Sequence, residues 1–243
     1  MRSAGGCARA CGSQWFVSSK EDANVGPETD NFPFIQARFF RPFGPGRRPV
    51  RLIVIHTMEV PERDGIAKDI AIDFAHRPDT MKASAHLCID NKAIFQSVKD
   101  NDIAFAAPGA NQDGIQLELA GRAAQTAEDW MDAYSTAVLE NAANAAAQYC
   151  LKYEIPVKHL TNTELGDQET KGLVGHVQVS EVFKLSNHRD PGEAFPWDRF
   201  LERVEFFRTE RLNQVNTGDA GDAGGAGGAG DAGGAGDVGG AGA

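Results

Sequence analysis

The sequence predicts an α/β domain, a mixed central β-sheet flanked by helices, and three observations carry that expectation. A continuous apolar run rich in β-branched residues, Leu52-Ile53-Val54-Ile55, ends at His56 and has the character of a strand buried on both faces. Ile66, Ile70 and Phe74, with Ala67 and Ala71, recur at helical spacing until Pro78 ends the stretch. Further strand-like and helix-like segments then alternate along the chain.

In order, residues 1–31 are rich in Gly, Ser and Ala and are expected to form a flexible leader. Gly5-Gly6-Cys7 resembles a lipoprotein cleavage site but has no apolar stretch before it, so no signal peptide is expected. The aromatic and proline-rich approach from Phe32 to Pro49 is expected to pack over the domain edge without regular structure. The strand at residues 52–55 and the helix after it follow. Ala85 to Asp90 and Ala93 to Val98 predict a hairpin turning at Asn91-Lys92, and Gly114 to Leu119 a further short strand. Thr126, with Asp129 three residues on, predicts a capping box opening a long helix with Trp130, Tyr134, Val138 and Tyr149 on its apolar side. Pro156 closes that region. Gly172-Leu173-Val174-Gly175 is read as a flexible stretch that lets backbone approach a site. Pro196 and Asp198 start a last helix with Phe200, Val204 and Phe207 towards the core. One domain is expected over residues 32–214, with a disordered Gly/Ala/Asp tail over 215–243.

Composition narrows the function classes. Hydrophobic residues at 42% and charged residues at 24% place the chain among globular domains rather than disordered ones. No apolar run reaches the roughly 18 residues of a membrane span. Of the net charge of −10, four aspartates lie in the last 26 residues, leaving −6 on the rest. An acidic body excludes nucleic acid as the main partner, since phosphate binding needs a clustered positive field. Cys88 and Cys150 sit inside apolar patterns and read as small buried hydrophobes; Cys7 and Cys11 read as loose thiols in the leader.

Six histidines are present, at 56, 76, 86, 159, 176 and 188. His56 ends a buried strand, where an α/β sheet presents functional groups. His176 follows the Gly-flanked stretch, and Asp190 comes fourteen residues later in Asn187-His188-Arg189-Asp190-Pro191-Gly192. Two imidazoles and one carboxylate match the protein ligand set of a catalytic zinc with one open position. Spacing alone leaves this unspecific, because such trios occur in most chains of this length.

Motifs in the order expected of one family sharpen the reading. The segment from Arg51 to about Phe200 resembles the type 2 N-acetylmuramoyl-L-alanine amidases, which share a fold with peptidoglycan-recognition proteins and many phage endolysins. Leu52-Ile53-Val54-Ile55-His56-Thr57 is similar to the family's first strand, and Ser84-Ala85-His86-Leu87-Cys88-Ile89-Asp90 with Ala93-Ile94-Phe95-Gln96 to its hairpin. Ile115-Gln116-Leu117-Glu118-Leu119-Ala120-Gly121 resembles its acidic strand; Gly175-His176 and Asp190-Pro191-Gly192-Glu193-Ala194-Phe195-Pro196-Trp197 resemble its later ligand motifs.

The resemblance implies a peptidoglycan-recognition-protein-like single domain in which His56, His176 and Asp190 bind Zn²⁺ and Glu118 is the catalytic acid/base. It implies cleavage of the amide between N-acetylmuramic acid and L-alanine in peptidoglycan; the chain is expected to be a monomer, with neither nucleic acid nor membrane as partner. Two departures stand out. His188 occupies the position where relatives often carry lysine; an imidazole there still donates a hydrogen bond, and His188 is expected as a second catalytic group. Ala106 replaces the histidine of the relatives' "AWHAG" segment. Glu59 is a candidate to line the cleft or orient a ligand histidine, His86 a groove wall or core residue, and His76 a helix-end residue; His159 receives no role.

The setting expected is a phage endolysin, made in the host cytoplasm and released to the wall. The alternatives are a cytoplasmic amidase recycling muropeptides, a peptidoglycan-binding module without catalysis, and a zinc peptidase cutting within the stem peptide.

Overall fold

The computed structural model describes residues 32–218, so the leader with Cys7 and Cys11 and the tail from residue 219 lie outside the described residues. The elements run β1 (Phe40–Arg41), β2 (Leu52–Thr57), α1 (Ile66–His76), β3 (Leu87–Ile89), β4 (Ile94–Gln96), β5 (Ile103–Ala104), β6 (Gly114–Leu119), α2 (Ala133–Lys152), α3 (Asn162–Gly166), β7 (Gly172–Gly175), α4 (His176–Phe183) and α5 (Trp197–Gly218). Five strands form one mixed sheet in the order β4-β3-β6-β2-β7, with β3, β6, β2 and β7 parallel and β4 antiparallel to β3. The α/β architecture expected from the sequence is therefore the one observed.

The strand pleat divides the interior. Successive side chains point to opposite faces, so alternate residues line one layer. Ile53 and Ile55 of β2 and Ile115, Leu117 and Leu119 of β6 pack on α2 and α5 through Val138, Leu139, Ala142, Phe200 and Val204. The other face is shared. Leu52 and Val54 meet Val179 of α4 and Leu165 of α3, and Cys88 meets Ala67, Ala71 and Phe74 of α1. At roughly 25 cal/mol per Å² of apolar surface removed from water, this double burial is the main stabilising term and holds β2 and β6 rigid. Cys88 and Cys150 are both buried and free, as their apolar surroundings lead one to expect.

Several local expectations need correction. The approach segment is partly ordered: β1 pairs antiparallel with β5, and Phe34 bridges to Gln96. Residues 172–175 form a fully buried strand in register with β2 rather than a flexible stretch. Its glycines serve close packing: a Cβ on Gly172 would meet Leu160 Cγ at 2.7 Å. Thr126 and Asp129 do bond reciprocally, but they cap only a 3₁₀ turn at Asp129–Met131 that carries buried Trp130. The long helix starts later, at Ala133, where the Asp132 side chain accepts the Ser135 N–H at 2.7 Å. The Thr126 box is spent on the 3₁₀ turn, and Asp132, six residues on, is the cap that opens the helix.

Candidate metal centre and hydrolytic cleft

Strand register assembles the centre. His56 pairs with Glu118, which pairs in turn with Cys88, all on the face opposite the α2 layer. Adjacent strands lie about 4.8 Å apart, so in-register side chains on one face are neighbours. On the other side of β2, Gly175 pairs with Ile55 and the chain leaves β7 directly into α4, whose first residue is His176. The His56 and His176 rings meet edge to face with centroids 4.6 Å apart.

Asp190 arrives from a loop locked at three points. Val177 N–H donates to the Asp190 carbonyl at 2.8 Å, which ties the loop to the start of α4. Pro191, joined to Asp190 by a cis peptide, docks against Gly175, where a Cβ would meet its Cδ at 2.7 Å. Gly192 has φ +95, and a Cβ there would overlap the Ala123 carbonyl. The Phe195 ring beyond is buried against Trp130, centroids 5.1 Å apart.

The three candidate ligands are buried, with their ligand atoms all within 4.8 Å of one another. His56 Nδ1 lies 3.2 Å from Asp190 Oδ2. His176 Nδ1 lies 3.3 Å from Asp190 Oδ1, yet not in hydrogen-bonding geometry, and so has no hydrogen-bond partner. A buried polar atom left unpaired costs about 1–3 kcal/mol; a lone pair facing a carboxylate and a second imidazole suits a cation. Two imidazoles and one carboxylate, with space beside them, fit a zinc site with an open fourth position.

Charge is tightly coupled. Burial would lower the His56 pKa, but Asp190 and Glu118 outweigh it and push it up to about 9. Burial pulls His176 down to about 4, and Asp190 only partly opposes it. For Asp190, burial would raise the pKa; the two imidazoles set against its carboxylate hold it well below the carboxylate range. The Glu118 carboxyl is pushed up to about 7, chiefly by desolvation, with His56 opposing and Asp190 adding to the rise. A carboxyl poised near neutrality suits proton transfer at physiological pH.

The centre floors a cleft of about 460 Å³ lined also by Glu118, His188, Glu59, Arg77, Lys82 and Ala106. His188 stacks on His176 with centroids 4.3 Å apart, and its side chain is 60% exposed with Nδ1 3.5 Å from Asp190 Oδ1. It therefore stands at the cleft mouth beside the ligands. All five residues singled out from sequence, His56, His176, Asp190, Glu118 and His188, converge here.

The others do not join the centre. Glu59 lines the cleft but accepts from Thr57 Oγ1 and the Ala123 N–H, bracing the Ala123 loop rather than a histidine. His76 Nδ1 bonds the Ile72 carbonyl at its helix end. His159 stacks on Trp197 at 3.7 Å and bonds Gln178.

His86 is fully buried in the core, its Nδ1 accepting from the Gln116 N–H at 2.9 Å and its Nε2 facing the Asp102 carbonyl at 3.2 Å. Burial depresses its pKa to about 4. Below about 6.5 the unfolded chain takes a proton that the folded state refuses, so stability falls as pH drops from 6.5 towards 4. At about 1.4 kcal/mol per pKa unit, His86 contributes a loss of about 3 kcal/mol across that window. Urea unfolding at pH 7 and pH 5 should show the fall, and His86→Gln should flatten it.

Sequence reasoning missed two supports. Ser186 Oγ lies 3.4 Å from His176 Nε2 and 2.6 Å from Ser180 Oγ. Gln116 Oε1 lies 2.9 Å from His56 Nε2. No pattern marks Ser186, but Gln116 is two residues from Glu118 on a strand and so on the same face.

Residues 46–193 match the model of a family described as N-acetylmuramoyl-L-alanine amidase. A crystal structure of the Staphylococcus aureus hydrolase AmiA in complex with its ligand is similar, with TM-score 0.57 at 17% identity, over 77% of this chain and 87% of that one. An AmpD derivative is similar with TM-score 0.53 at 18% identity, over 72% of this chain and 95% of that one. At such identities the likeness is one of fold. No curated sequence matches significantly.

Proposed function

Because the chain belongs to the N-acetylmuramoyl-L-alanine amidase family, whose model covers residues 46–193, we propose that it cleaves the bond between N-acetylmuramic acid and L-alanine in peptidoglycan with zinc held by His56, His176 and Asp190. The observation that carries the metal reading is the convergence of those three buried ligand atoms, with His176 Nδ1 otherwise unpartnered. When bound, zinc supplies Lewis acidity towards a carbonyl and towards water.

The chain's own residues supply the rest. Glu118, next to His56 in register and with its pKa near 7, takes a proton from the attacking water and returns it to the leaving amine. His188, exposed at the cleft mouth, donates a hydrogen bond to the oxygen that gathers negative charge. Arg77 and Lys82, which also line the cleft, offer positive charge to the acidic groups of a stem peptide.

We propose further that the polymeric wall is the substrate and that the protein acts as an endolysin from the host cytoplasm. The cleft is open at His188, and no helix among the described residues is long and apolar enough to cross a membrane.

Digestion of purified sacculi followed by mass spectrometry is the test. Intact stem peptides with free N-terminal alanine, released until EDTA is added and again after Zn²⁺ is restored, are expected. Cleavage inside the stem would overturn the bond assignment, and a preference for small soluble muropeptides over sacculi would overturn the lytic role.

A further inference from the structure

We propose that Gln116 is the positioning residue that sets the tautomer of His56, so that Nδ1 and not Nε2 carries the free lone pair. The proposal rests on His56 being a metal ligand, as argued above.

The Gln116 side chain is fully buried between two partners, His56 Nε2 at 2.9 Å and the Ala110 carbonyl at 3.1 Å. A carbonyl only accepts, so the side-chain nitrogen must face Ala110 and the side-chain oxygen must face His56. An oxygen can only accept there, which requires the proton on Nε2. In the neutral, metal-binding ring, His56 Nδ1, directed at Asp190 and His176, is then the free electron pair.

The arrangement is fixed from behind. The Ala110 carbonyl sits in a turn closed by Ala110 N–H donating to the Ala107 carbonyl, and the Asn111 side chain accepts from the Ala106 and Ala107 N–H groups. Gly114 leaves the space this needs: a Cβ there would meet the Ala110 carbonyl oxygen at 2.5 Å and Gln116 Nε2 at 2.8 Å. The Gln116 backbone is held by its bond to His86. Outer partners of this kind orient a ligand imidazole and raise its basicity.

The whole 243-residue chain, stripped of metal, is titrated with Zn²⁺ against a chromophoric chelator, and the zinc-loaded form is examined for the His56 Nε2–H proton by NMR. Gln116→Leu, which keeps the size and removes the acceptor, should weaken zinc about 10–100-fold and lose that slowly exchanging proton. Gln116→Glu, whose fully buried carboxyl stays neutral, keeps an oxygen facing His56 and an O–H donating to the Ala110 carbonyl, and should bind zinc as tightly as wild type and retain it. Zinc affinity of Gln116→Leu within about twofold of wild type, with the proton signal intact, overturns the proposal. If Gln116→Leu does not fold, Gln116→Glu decides alone: a tenfold or larger loss of affinity, about 1.4 kcal/mol, overturns it. Failure of the wild-type protein to bind zinc overturns the metal reading as well, which separates the two.

Discussion

Asp190→Ala is expected to lower kcat/KM by at least about 10³-fold, since metal assistance supplies several kcal/mol of transition-state stabilisation and each 1.4 kcal/mol is tenfold. The carboxylate bridges both imidazoles, with Oδ2 3.2 Å from His56 Nδ1 and Oδ1 3.3 Å from His176 Nδ1. Without it, two histidines share a buried pocket with only Glu118 left to balance His56. Zinc retention should fall in parallel, and His176→Ala should behave alike. Measured as free amino groups released from purified walls, residual activity within tenfold of wild type would sink the ligand assignment. Circular dichroism should remain native, because the loop is held independently by the Val177–Asp190 backbone bond and the Phe195 anchor.

Glu118→Gln should leave zinc bound but reduce kcat by about 10²–10⁴-fold, the usual worth of a positioned general base. The amide matches the carboxyl in shape and cannot take the proton. KM should change little, since the group acts on protons rather than on binding. His188→Ala should cost less, because an exposed donor works against competing water. Equal losses of kcat and zinc content in Glu118→Gln would mean that the carboxylate holds the ion rather than moving protons.

Much of this architecture was legible in the residues themselves. β6 ends where the sequence expectation put it, at Gly114 and Leu119, and β2 runs one residue past His56, because both strands are packed on two faces and advertise it with apolar runs. The five site residues were legible only through their motifs; the pleat then explains why His56 and Glu118 meet. Less visible features depend on things residue types do not encode. The β1–β5 pairing comes from an aromatic, proline-rich segment without periodicity. β7 was hidden because its glycines look like looseness and serve instead to admit Leu160 and Pro191. The part played by Gln116 depends on one backbone carbonyl, Ala110, which sequence pattern cannot orient.

The two faces of β6 answer to different demands. Its odd-numbered residues, Ile115, Leu117 and Leu119, belong to the α2 layer, whereas the even-numbered residues face the metal centre, Glu118 lining the cleft and Gln116 buried behind His56. Fold strength and reactivity are thus written in separate, interleaved registers of six residues. Volume changes at odd positions should move the melting temperature and spare turnover, while Glu118→Gln should do the reverse. A single inserted residue before Glu118 would exchange the two sets at one stroke and forfeit both properties together.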